Sequence, residues 1–178
     1  MKSILITGCS SGIGLDSALA FRDAGWKVIA SCRKPADCII MRDHHKIHSI
    51  CIDYEDEASI INGFADALEF TDGHLDVLFN NGAYGIPALV EDLPTDALRA
   101  IFEANFFGWH TLSRLAIVQM RKQKQGRIIQ NSSVLGFAPL KFRGAYNATK
   151  FALEGLTDTM RLELHGTNIH LILVEPGP

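Results

Sequence analysis

The N-terminal stretch constrains the fold of this chain more than any other. Lys2-Ser-Ile-Leu-Ile-Thr7 is an apolar run the length of one strand, followed at once by Gly8-Cys-Ser-Ser-Gly12-Ile-Gly14 and then by the helix-like Leu15-Asp-Ser-Ala-Leu-Ala-Phe-Arg-Asp-Ala24. Glycines permit positive φ and close backbone approach, while a helix N-terminus offers unpaired N–H groups and a partial positive charge. A glycine-rich turn alone says little, because turns collect glycine. Placed between a strand and a helix, it is a seat for the pyrophosphate of a dinucleotide, with Gly8, Ser10, Ser11, Gly12, Ile13 and Gly14 expected around it.

The rest of the chain repeats the alternation of strand and helix. Strands are expected at Trp26–Ser31, Lys46–Ile52, Leu75–Asn80, Arg127–Asn131 and Asn168–Glu175. Helices are expected at Ala36–Met41, Glu57–Phe70, Thr95–Lys122 and Gly144–His165. Repeated β-α-β units predict one α/β domain over 1–178, a doubly wound parallel sheet (Rossmann fold) with ligand at the carboxyl ends of the strands. With 47% apolar and 21% charged residues, the chain can bury a core and has neither a disordered nor a membrane-protein composition. The first strand is too short to span a bilayer and has no signal-peptide cleavage region, so no membrane insertion and a cytoplasmic address are expected. The net charge of -3 argues against a nucleic-acid partner. Cys9, Cys32, Cys38 and Cys51 lack C-x-x-C spacing, and the histidines His44, His45 and His48 lack matched carboxylates or thiols, so no metal site is expected.

Tyr146 and Lys150 stand four apart in a helical segment, on one face. A free phenol, with a pKa of about 10, is a poor proton donor near neutrality. A lysine charge roughly 5 Å away, at an effective dielectric of about 20, is worth about 3 kcal/mol, or some two pKa units. On that arithmetic Lys150 is expected to depress Tyr146 into the range for acid–base work.

Thr7-Gly8-x-x-x-Gly12-Ile13-Gly14, Asn80-Asn81-Gly82-Ala83, Asn105, Ser133, Tyr146, Lys150 and Pro176-Gly177 together resemble a short-chain dehydrogenase/reductase of the non-extended branch, over essentially the whole chain. The resemblance extends to bacterial NAD(P)-dependent oxidoreductases and to hydroxysteroid and retinol dehydrogenase-like members. Two departures stand out. The family has Asn-Asn-Ala-Gly where this chain has Gly82 before Ala83, and a flexible residue is expected to preserve the turn. Members also continue past the Pro-Gly into a substrate-covering loop, a helix and a last strand, which the sequence to Pro178 does not contain.

The resemblance implies a hydride exchange between NAD(P)(H) and a carbonyl or secondary alcohol. Ser133 and Tyr146 would donate to the carbonyl oxygen, with Ser132 as the alternative to Ser133; the separation of thirteen residues between Ser133 and Tyr146 matches the family. Lys150 would bond the nicotinamide ribose, and Asn105 would hold a water linking Lys150 to solvent. Asn81 and Gly82 would shape the backbone near the adenine ribose, and Pro176 and Gly177 would border the cofactor. Asp53 would bond the adenine amino group, unless it only starts a turn. At the end of the second strand Cys32 occupies the position of an NAD-type carboxylate, and Arg33 next to it could hold a 2′-phosphate, helped by Lys34. NADP(H) is therefore expected over NAD(H), unless these are solvated loop charges. Tyr84, Ile86, Val134, Leu135 and Phe137 would flank an apolar substrate, steroid-like or lipid-derived, or else pack the core. The two long helices resemble those that pair in a family homodimer or homotetramer. A non-catalytic dinucleotide-binding sensor or scaffold is the alternative; a sugar-nucleotide epimerase of the extended branch is disfavoured by the glycine spacing.

Overall fold

In the computed structural model, which describes residues 1–177, six strands form one parallel sheet. Pro178, where the expected domain ends, lies outside the described residues. In chain order the elements are β1 (Ser3–Ile6), α1 (Gly12–Asp23), β2 (Lys27–Cys32), α2 (Pro35–Asp43), β3 (His48–Cys51), α3 (Glu57–Phe70), β4 (Val77–Asn80), α4 (Thr95–Phe102), α5 (Gly108–Gln123), β5 (Gly126–Asn131), α6 (Gly144–Glu163) and β6 (Ile169–Val174). The sheet order is β3-β2-β1-β4-β5-β6, the doubly wound arrangement expected from the sequence. The order reverses between β1 and β4, and a crevice opens there at the carboxyl ends of the strands.

The two-residue period of the strands divides the core. Ile4, Ile6, Val28, Ala30, Val77 and Phe79 pack with Ala18 of α1 and with Cys38 and Met41 of α2. Their neighbours Leu5, Ile29, Leu78 and Ile128 pack on the opposite face with Ile60 and Phe64 of α3, Leu112 and Met120 of α5, and Met160 of α6. Each such Leu or Ile, fully buried, contributes about 1.5–3 kcal/mol. The start of α3 is set locally: the Asp56 side chain accepts from the backbone N–H groups of Ala58 and Ser59 at 2.9 and 3.3 Å.

The helix expected over Thr95–Lys122 is not one helix. A π turn at Glu103–Phe107 separates α4 from α5. Such a turn holds one extra residue without breaking the apolar pattern, so periodicity could not show it. Its tertiary partners can be named. Asn105 is fully buried, and Gly108 packs so closely on Tyr54 that a Cβ there would lie 2.6 Å from the Tyr54 carbonyl oxygen. The helix expected from Leu15 also begins earlier, at Gly12, so that the last glycines of the turn belong to its first turn.

Candidate active site

Two clefts lie along the carboxyl ends of the strands. The first, of about 430 Å³, is lined by Thr7, Gly8, Ser10, Ser31, Arg33, Asp53 and Gly82 among others. Its floor is a set of hydrogen bonds between the ends of three strands. The Thr7 hydroxyl, after β1, donates to the Phe79 carbonyl at 3.3 Å and accepts from the Asn81 N–H at 2.9 Å. The Asn81 side chain donates to the Thr7 and Gly8 carbonyls at 3.0 and 3.3 Å and accepts from the Asn131 Nδ2 at 2.7 Å. Asn81 thus fixes backbone, and its amide is fully engaged in doing so.

Gly8 has φ +67°, and a Cβ there would fall 2.5 Å from the Cα of Gly82. Only glycine meets both demands. A Cβ on Gly14 would strike the Gly8 carbonyl and lie 2.6 Å from the Asn81 Nδ2, so the first turn of α1 presses against the glycine loop. The expectation that a flexible residue preserves the Asn80–Ala83 turn is corrected in its reason. Neither Gly82 nor Ala83 adopts positive φ; the requirement is space, since a Cβ at Gly82 would be 3.3 Å from Gly8 and from the Tyr54 ring.

Ser10, Ser11, Gly12 and Ile13 are exposed, and Ser11 caps α1 without a side-chain hydrogen bond, which leaves the helix N-terminus open toward the cleft. At the end of β2 the carboxylate position is indeed Cys32, but its side chain faces away from the cleft. It is buried against α2, and burial, then Cys38, pushes its thiol up to about 12. Arg33 lines the cleft; Lys34 instead precedes α2 as its N-cap residue. Asp53 borders the cleft, and its carboxylate accepts from the Glu55 N–H at 3.0 Å, starting a turn.

The second cleft, of about 570 Å³, is lined by Ser133, Val134, Leu135, Leu140, Tyr146, Pro176 and Gly177 among others. Pro176 and Gly177 therefore sit with Ser133 and Tyr146 and away from the glycine loop. The Val134 N–H donates to the Pro176 carbonyl at 3.2 Å, fixing that placement. Ser133 follows β5 in extended conformation, its Oγ accepting from the Leu135 N–H at 3.1 Å. Ser132 is turned elsewhere: it is not on the cleft, and its buried Oγ lies beside Gly136 near the Glu154 side chain. Of the expected apolar flank, Val134 and Leu135 line this cleft, Tyr84 lines the first, Ile86 is half-buried outside both, and Phe137 projects into solvent.

Tyr146 and Lys150 share a face of α6 as expected, but their electrostatics differ from the expectation. Lys150 is buried, its Nζ donating to the Asn131 carbonyl at 2.6 Å and lying 4.3 Å from the centre of the Trp109 ring. Burial pushes it down to about 7, against an opposing pull from Glu154. Burial raises Tyr146 above the ordinary phenol value, and the Ser133 hydroxyl pulls it the other way. The predicted depression of Tyr146 by Lys150 is thus not what the protein alone produces. A dielectric of about 20 understated the desolvation of both groups.

The Asn105 side chain is spent on its neighbours. Its Oδ1 accepts from the Tyr84 N–H at 3.1 Å, and its Nδ2 donates to the Tyr84 carbonyl at 2.7 Å and the Thr149 hydroxyl at 3.4 Å. The side chain ties the loop after β4 to the π turn. The sequence reading missed Asn131, whose carbonyl receives Lys150 and whose side chain holds Asn81, and Trp109, whose Nε1 donates to the Gly82 carbonyl at 2.8 Å. Asn131 ends a strand at the switch-point side of the sheet, which was the available signal; nothing local marked Trp109. Among the described residues, no group of three or more His, Cys, Asp or Glu side chains is placed to hold a metal ion, and no helix is long and apolar enough to cross a membrane.

With this geometry the chain was compared with known proteins. Residues 2–178 match the model of the short chain dehydrogenase family. An Escherichia coli K12 protein, the uncharacterized oxidoreductase YbbO, is 40% identical over 177 residues, 99% of this chain and 65% of its own. Human retinol dehydrogenase 8 is 33% identical over 183 aligned positions, 99% of this chain and 58% of its own. A crystal structure of a short-chain dehydrogenase from Streptomyces avermitilis superimposes with a TM-score of 0.92 at 33% identity, covering 99% of this chain and 65% of that one. The chain therefore spans somewhat less than two thirds of these relatives. The glycine loop against Asn81, the Ser133 and Tyr146 cleft and the whole-chain match lead to one assignment: the chain belongs to the short-chain dehydrogenase family.

Proposed function

We propose that the chain supplies the dinucleotide seat and the proton-transfer groups of an oxidoreductase that moves a hydride between NADP(H) and an apolar carbonyl or secondary alcohol. The observation that carries this reading is the convergence of Ser133 and Tyr146 on one apolar cleft, with Lys150 buried behind Tyr146. The residues present fit a dinucleotide: the uncapped N-terminus of α1 and the tight Gly8–Gly82 contact leave backbone N–H groups for a pyrophosphate. Bound there, the nicotinamide would supply or accept the hydride.

The remaining roles fall to this chain's own side chains. Ser133 and Tyr146 donate to the carbonyl oxygen as it gains negative charge, and Tyr146 gives up the proton. Lys150, buried with its Nζ 5.4 Å from the centre of the Tyr146 ring, would hold positive charge behind the phenol and bond the ribose hydroxyls. Asn105 positions the loop that separates the clefts; a water near Lys150 would have to be held by its main chain. Arg33 at the first cleft, with no carboxylate at the end of β2, supports NADP(H) over NAD(H). Val134, Leu135 and Leu140 support an apolar substrate, and retinol, in the name of one relative, is such a molecule. A cytoplasmic protein assembled as a homodimer or homotetramer, with no nucleic-acid partner, completes the reading.

One observation favours a second reading, a sensor that binds dinucleotide without turnover: burial lowers Lys150 and raises Tyr146, away from the charged pair that acid–base work wants. The test is NADPH oxidation with a panel of apolar aldehydes and ketones by the wild-type chain and by Tyr146→Phe, alongside fluorescence titrations with NADPH and NADH. The enzyme reading expects a loss of at least roughly a hundredfold in kcat with NADPH affinity kept within about twofold. NADPH binding without turnover in either protein would leave the sensor reading, and no binding of either nucleotide would overturn both.

A further inference from the structure

The chemistry proposed above uses none of the four cysteines, yet all four lie on one side of the sheet. Cys32 and Cys51 end β2 and β3 as paired positions in the parallel register, and α2 lays Cys38 over them. The Cys38 Sγ lies 3.1 Å from the Cys51 Sγ and 3.3 Å from the Ile50 carbonyl. Cys38 is buried, whereas Cys51 is exposed at the sheet edge. One thiol is therefore open to a small reagent, and its nearest sulfur neighbour is shielded and already in contact. That is the arrangement of an attacking cysteine and a resolving one.

We propose that Cys38 and Cys51 form a reversible intrachain disulfide when the chain meets a hydroperoxide, stapling α2 to the edge strand β3. The Cys51 thiol gives its proton to solvent and the thiolate attacks the peroxide; the O–O bond breaks, alkoxide or hydroxide leaves and takes up that proton as alcohol or water, and Cys51 carries a sulfenic acid. The Cys38 sulfur then attacks the Cys51 Sγ, the S–S bond forms, the S–O bond breaks, and hydroxide leaves with the Cys38 proton as water. Two thiols are oxidised by two electrons and the peroxide is reduced. A disulfide of about 2.05 Å requires the sulfurs to close by about 1 Å, a shift within the reach of one turn of α2. Burial and Cys38 push the Cys51 thiol up to about 11, with Arg42 pulling the other way, so the reaction is slow at neutral pH and needs sustained exposure. The inference stands on sulfur geometry and does not depend on the proposed activity.

The test is to incubate the reduced chain with hydrogen peroxide in mildly alkaline buffer, alkylate the remaining thiols and map the peptides by mass spectrometry. The expected result is a Cys38–Cys51 linked peptide that dithiothreitol cleaves, with slower amide exchange across α2 in the oxidised chain by roughly tenfold or more. In Cys38→Ser the sulfenic acid on Cys51 should persist and be trapped by dimedone. A Cys32–Cys38 link, a link between two chains through Cys51, oxidation of Cys51 alone in the wild-type chain, or a linked peptide without slower exchange in α2 would each overturn the proposal.

Discussion

The two clefts are built by different means. The first is made of backbone: the Gly8 carbonyl, the Asn81 N–H and the open end of α1, locked by side chains that point at main chain rather than outward. The second is made of side chains that come from separate elements, Ser133 after β5, Tyr146 from α6 with Lys150 buried behind it, and Pro176 after β6. A backbone cleft depends on steric permission at a few positions, and a side-chain cleft depends on burial and charge. The two should therefore respond to different perturbations.

Gly8→Ala should break the first cleft and spare the second. The left-handed backbone alone costs about 1–3 kcal/mol, and overlap with the Gly82 Cα adds to it. NADPH affinity should fall by at least roughly a hundredfold in a fluorescence titration, with the far-UV circular dichroism spectrum retained. A variant that still binds NADPH as the wild type does would deny the glycine loop its role.

Lys150→Met probes the second cleft through pH. The folded value near 7 lies below the ordinary 10.5, so the unfolded chain binds more protons between those pH values. This group alone therefore makes stability rise as pH climbs from about 7 toward 10.5 and contributes its full penalty below about 7. Urea unfolding without cofactor should show Lys150→Met gaining most on the wild type near pH 6, with the gain shrinking toward pH 10. A gain independent of pH would mean that Lys150 is not held near neutrality by burial.

Arg33→Ala returns to the first cleft at its basic side chain. Loss of a charge-assisted bond to a 2′-phosphate should weaken NADPH roughly tenfold, about 1.4 kcal/mol, and leave NADH within about twofold. Equal weakening of both nucleotides would place Arg33 outside the ribose site. The smallest effect is expected at the mouth of the second cleft, where Phe142 holds φ +64° with its ring half exposed. Phe142→Gly should relieve that conformation and change stability by under about 1 kcal/mol in either thermal or urea melts, because the glycine also loosens the unfolded chain.

Local signals carried the sequence reading far. Alternation of apolar runs placed all six strands and the order of the helices, and the helix expected over Glu57–Phe70 has those bounds in the structure. The π turn escaped because one added residue leaves the apolar face continuous on both sides of it. The choice between Ser132 and Ser133 needed the path of the chain after β5, which turns one hydroxyl to the cleft and the other toward Glu154. Asn105 was legible as a residue of the family pattern, but its partners on Tyr84 are twenty-one residues away and follow no spacing rule.

The sequence by itself determined the doubly wound sheet, the glycine seat at the first βα turn and the pairing of Tyr146 with Lys150, because period, turn chemistry and helical spacing are properties of neighbours in the chain. Only the tertiary structure decided the charge state of that pair, the inward turn of Asn105 and the contact of Cys38 with Cys51. Desolvation and close packing sum over elements far apart in sequence, so Trp109 and Asn131 set the environment of Lys150 from a distance that no local pattern records.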